Sequence, residues 1–107
     1  MPRPDYPTDI TRAQFELVRE TLEAARRRTR PRKHDLYDVV CALLYFLDTG
    51  IAWRSLPRDL PPWRTVHEYF TQWTIAPPGQ ASLLERVLET LGRSELAERV
   101  AAMRAAR

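Results

Sequence analysis

Six basic side chains fall within eight residues of this sequence: Arg26, Arg27, Arg28, Arg30, Arg32 and Lys33, with no acidic residue among them. Such a block either stays solvated as an exposed linker or neutralises a polyanion, and guanidinium groups suit the second role because they bind phosphate oxygens in a fork. The rest of the chain carries 11 basic against 14 acidic residues, so the formal charge of +3 arises entirely from this block. A second group, Arg64, Thr65, Glu68 and Gln72, is spaced to lie on one side of a helix. Arginine reaches guanine bidentately, glutamine suits adenine and glutamate accepts from cytosine, so these four are candidates for reading base edges. Any amphipathic helix offers something similar. The basic block adds weight, because a charged arm can neutralise phosphates or enter a groove while a helix reads bases.

Other chemistry lacks its residues. Cys41, His34 and His67 show none of the paired spacings of a metal-ligand set. His67 borders the apolar side of its predicted helix and is expected to pack there, while His34, beside Lys33, joins the basic segment. Asp35 and Asp38 fall at a helix start, where the helix dipole stabilises them. Cys41 lies within a predicted helix, pointing to its flank, with no histidine partner to activate it. There is no glycine-rich phosphate loop, and no cofactor is expected. No apolar run approaches the roughly 20 residues of a membrane span. The first residues lack the apolar stretch of a signal peptide. A cytoplasmic protein is expected, without membrane association.

The elements that must position these residues are helical. Thr11 and Gln14 have capping-box spacing, and Ile10 with Phe15 forms a hydrophobic staple. Phe15, Val18, Leu22 and Ala25 follow as one apolar stripe, and Arg30-Pro31 prevents continuation. Asp35 and Gly50 bracket a second helix whose apolar positions cover about half the circumference, which marks it as the centre of the core. Within the connector 50–62, Trp53 and Leu56 are spaced to anchor one turn on that core. A third helix is expected from Pro62 or Trp63 to Trp73, with Trp63, Val66, Phe70 and Trp73 inward. The shared stripe argues against the tryptophans as stacking platforms for bases. Ala76-Pro-Pro-Gly79 is a break. Ser82 with Glu85 caps a fourth helix carrying Leu83, Leu84, Val87, Leu88 and Leu91 to Gly92. Ser94 is placed to cap a fifth with Leu96, Val100 and Met103. No segment alternates with period two, so the expected fold is all-α: a small bundle of five helices with a helix-turn-helix-like unit. Residues 1–75 are expected to form the DNA-binding domain and 76–107 a helical extension, which adds to the core or makes a dimer.

Five blocks resemble one protein family in order. They are Tyr6–Phe15, the basic stretch Arg26–His34, the helix Asp38–Gly50, Trp53-Arg-Ser-Leu-Pro57, and Pro62–Trp73. Together they are similar to the start of bacterial insertion-sequence transposases of the insertion-sequence-five kind. The resemblance implies an N-terminal helical domain that engages the terminal inverted repeats of the element. In that family a separate RNase H-like domain follows, whose two aspartates and one glutamate hold the catalytic metal ions. Here the sequence departs from the family pattern after Trp73, and no such triad is recognisable, which argues against independent catalysis.

The resemblance thus implies a double-stranded DNA-binding module: the first frame of a frameshifted element, a truncated transposase or a domesticated derivative. Its protein partner would be a second copy or a catalytic transposase subunit. The competing reading is a protein-interaction or dimerisation module without DNA affinity. The basic block separates them. If about five of its six cations contact phosphates, log affinity for duplex DNA should fall with log salt at a slope of about −4 to −5. Neutralising three should flatten that slope, measured by salt-titrated anisotropy, and an unchanged slope would remove the block from the interface.

Overall fold

The computed structural model describes residues 5–25 and 34–106. Within them run α1 (Arg12–Ala24), α2 (Leu36–Thr49), a 3₁₀ turn at Trp53–Ser55, α3 (Trp63–Trp73), α4 (Leu83–Thr90) and α5 (Ser94–Ala105). The described residues contain no strand, so the fold is all-α as the periodicity predicts.

α1 starts as its sequence dictates. The Thr11 hydroxyl accepts from the Gln14 amide at 3.0 Å, and the Gln14 side chain accepts from the Thr11 amide at 2.8 Å. Ile10 and Phe15 are both buried, with Val18 and Leu22 continuing the stripe. Ala25 does not join it. That residue is exposed and caps the C-terminal end, so the helix closes before the arginine block begins. The proposed stop at Arg30-Pro31 lies outside the described residues.

α2 is the centre. Nine of its fourteen residues are buried, including Cys41, which is enclosed in the core rather than pointing to a flank. Asp35 caps it by accepting from the Tyr37 amide, and Gly50 closes it at φ 71°, a left-handed conformation that a residue without Cβ adopts freely. The starts of α1 and α2 are tied together. Arg12 pairs with Asp35 at 3.0 Å and lies over the Tyr37 ring, whose hydroxyl donates to the Ile10 carbonyl at 2.6 Å.

α2 packs on α1, α3 and α5, while α4 packs on α1, α3 and α5. Leu84, Val87, Leu88 and Leu91, with Leu96, Ala97 and Val100, are buried in the same core as the first three helices. The stripe of α5 ends at Val100, since Met103 is 37 % exposed. Ser94 is not the cap of α5. Gly92 (φ 76°) and Arg93 turn the chain so tightly, with the Arg93 amide donating to the Leu88 carbonyl at 2.8 Å, that Arg93 takes the cap position. The Ser94 hydroxyl instead donates to Glu89 at 2.6 Å.

A clamp fastens the end of α5 to the break before α4. Arg104 donates to Glu85 Oε2 at 2.6 Å, to the Gln80 carbonyl at 2.9 Å and to the Ala76 carbonyl at 3.2 Å. Burial by itself raises the affinity of Glu85 for a proton, but the Ser82 bonds and Arg104 outweigh it and hold the carboxyl below its ordinary value. A carboxyl depressed in the folded state contributes stability above its unfolded value, near 4.3, and loses it as pH falls through the folded value. Thermal melts should therefore show wild type losing more stability than Glu85→Gln on acidification below that range. At neutral pH, Arg104→Ala should cost about 1–3 kcal/mol, the cost of losing charge-assisted bonds and leaving Glu85 unpaired.

Candidate nucleic-acid interface

α3 is set in place by an aromatic seam. Trp53, in the 3₁₀ turn, stacks on Phe46 of α2 with ring centroids 3.6 Å apart and planes 11° from parallel. Phe70 of α3 meets both rings edge-on, at 6.1 Å from Phe46 and 5.2 Å from Trp53. Leu56 and Leu60 are buried beside the seam, which holds the connector against the core. Val66, Phe70 and Trp73 form the inward side of α3 as expected. Trp63 departs from that expectation. It packs only partly against the core, because it begins the helix at the rim, with no layer beyond it.

The opposite side of α3 faces solvent. Arg64, Glu68, Thr71 and Gln72 are exposed, whereas Thr65 is half-buried and so less available than its spacing implied. Arg64, Glu68 and Gln72 make no ion pair or side-chain hydrogen bond among the described residues. His67 is exposed but not bare: it meets Trp53 edge-on at 5.1 Å and Trp63 at 6.3 Å, the rim packing expected of it. Pro62 caps α3 without a side-chain bond, and no acidic residue stands in the first turn, so this helix end keeps its positive dipole unopposed. The phosphate candidates Arg26, Arg27, Arg28, Arg30, Arg32 and Lys33 lie outside the described residues. Of the described residues that flank them in sequence, Ala25 is exposed and His34 half-buried.

Among the described residues, no three His, Cys, Asp or Glu side chains come close enough to share a metal ion, and no helix is long and apolar enough to cross a membrane.

The model of the family described as "Putative transposase of IS4/5 family (DUF4096)" matches residues 10–77. The chain belongs to this family. Searches of curated proteins and of solved structures find no match. The matched segment of this transposase-family chain runs from the staple residue Ile10 through α3 and ends before α4. It contains every residue that the sequence singles out as a contact candidate.

One feature of this surface escaped sequence reasoning. The Arg54 guanidinium lies over the Trp63 ring at 5.5 Å from its centroid, and that of Arg64 lies at the same distance from it. Helical periodicity cannot relate a connector residue to the helix that follows it, and only the folding back of the 3₁₀ turn brings Arg54 to the Trp63 ring.

The seam makes a definite stability prediction. Phe70 is 4 % exposed and touches two of the rings that place α3. Phe70→Ala should cost about 3–5 kcal/mol in denaturant unfolding. A fully stable variant that had lost only DNA affinity would mean that Phe70 is a contact residue instead.

Proposed function

We propose that this transposase-family chain binds double-stranded DNA, with the terminal inverted repeats of an insertion element as its target. It would act as an N-terminal transposase module or as a regulator of transposition, on DNA in the bacterial cytoplasm. In this reading residues 1–75 are the DNA-binding domain and α2, the connector and α3 its helix-turn-helix-like unit. Residues 76–107 are the helical extension, whose α4 and α5 brace that unit by packing on α1, α2 and α3. α3 lies in the major groove, and the arginine block neutralises the flanking phosphates.

The observation that carries the proposal is the two-sidedness of α3. Its inward side is fixed by Val66, Phe70 and Trp73, which leaves Arg64, Glu68 and Gln72 in solvent without an ion pair or side-chain hydrogen bond among the described residues, with Thr65 at the edge. Family membership and the acid-free block support it independently. This reading covers DNA recognition alone, with a catalytic transposase subunit as the expected protein partner. Against the dimer reading, Leu84, Leu88, Leu91 and Leu96 of the stripes that suggested it pack into this chain's own core, which favours a bracing role for α4 and α5.

The test is binding to a labelled duplex bearing the terminal repeat of an element of this family and to a scrambled duplex of equal length. Glu68→Ala and Gln72→Ala should each lose about 1–3 kcal/mol of discrimination between the two. Equal losses on both duplexes would reject base reading by α3. No binding to either duplex at low salt would reject the function itself.

A further inference from the structure

Two cations from different elements share one ring in this protein. Arg54 comes from the 3₁₀ turn and Arg64 from the first turn of α3, and each guanidinium carbon lies 5.5 Å from the centroid of Trp63. Neither forms an ion pair or a hydrogen bond among the described residues. Other arginines are engaged: Arg12 with Asp35, Arg99 with the Leu47 carbonyl at 2.6 Å and Arg104 with Glu85. Arg58, on the same connector, is exposed as well.

Two cations held near one ring make the potential around it positive, and an anion that reaches this surface is attracted to both. Stacking uses the face of a guanidinium, whereas its N–H donors lie in the plane and remain free to form a fork on phosphate oxygens. The ring also limits the rotamers of both side chains, so less entropy is lost when they engage a ligand.

We propose that Arg54 and Arg64, positioned by Trp63, form a clamp for the phosphodiester backbone of duplex DNA at the N-terminal end of α3. The clamp rests on the DNA-binding reading and refines it: Arg64 turns to the strand backbone, and base reading falls to Glu68 and Gln72. Trp63 is a positioning residue that touches the arginines rather than a base. The clamp fixes the register of α3 along the groove, as phosphate contacts do, without carrying sequence information itself.

The experiment uses the full chain, a fluorescein-labelled mixed-sequence DNA duplex and anisotropy across a salt series. Arg54→Ala and Arg64→Ala should each weaken binding about tenfold. Each should flatten the slope of log affinity against log salt by about 0.9, equally on duplexes of different sequence. Trp63→Leu keeps both charges and should keep the slope while lowering affinity several-fold, and Trp63→Phe should restore it. Melting by circular dichroism separates this from unfolding. If Trp63→Leu fails to fold, the exposed Arg54 decides the matter. Wild-type binding with an unaltered slope and affinity in Arg54→Ala would overturn the clamp and leave DNA binding standing. A sequence-selective loss in Arg64→Ala would overturn its assignment to phosphate. Absence of wild-type binding at low salt would overturn both readings together.

Discussion

Burial of α2 on most of its circumference is the constraint from which the other elements take their places. A helix this apolar has to be covered from several directions, and α1, α3 and α5 provide the cover. The cap at Asp35 and the left-handed Gly50 limit it to 14 residues. That length matters, because Phe46 then sits in the last turn, where the connector can fold back over it. Had α2 run on, the connector would leave from a different point and α3 would lose its platform.

The Phe46–Trp53–Phe70 seam converts this central helix into a placement for α3. Aromatic rings in stacked and edge-on contact favour particular geometries beyond their burial, each pair by about 0.5–1.5 kcal/mol. A rigid seam suits a surface meant to meet a rigid partner, since a small shift of α3 would displace all its exposed side chains together. The same rings carry the chemistry outward. Trp53 supports His67, His67 meets Trp63, and Trp63 holds Arg54 and Arg64. Core packing and the candidate interface are therefore linked by one chain of ring contacts.

α4 and α5 brace this arrangement from the other side. They fall beyond the segment matched by the transposase family, yet their leucines enter the same core and α4 touches both α1 and α3. Arg104 gathers the carbonyls of Ala76 and Gln80 as well as Glu85, so the backbone of the proline-rich break is held by side-chain bonds. Arg99 does the same for the end of α2, donating to the Leu47 carbonyl. Arginine suits both tasks because one guanidinium supplies several donors to acceptors that no helix satisfies.

How far the sequence speaks follows from the range of each interaction. Helix starts and stops depend on neighbours within a turn, so the Thr11–Gln14 and Ser82–Glu85 boxes, the Asp35 cap and Gly50 were legible at once. So was the inward side of α3, because a period of 3.6 reports which residues share a face. Local signals failed where something distant competed. Ser94 has the right type for a cap, but the turn at Gly92 leaves it no extended conformation to occupy. Met103 and Ala25 keep the period of their stripes, but the core has ended where they stand. Trp63 shares a face with Phe70, yet lies at the rim. The approach of Arg54 to the Trp63 ring that Arg64 also meets required the tertiary structure, since nothing in the sequence relates a connector residue to the first turn of the next helix. Short-range hydrogen bonding and periodicity are written into the chain, whereas which surfaces end at solvent and which charges meet are settled only when the helices pack.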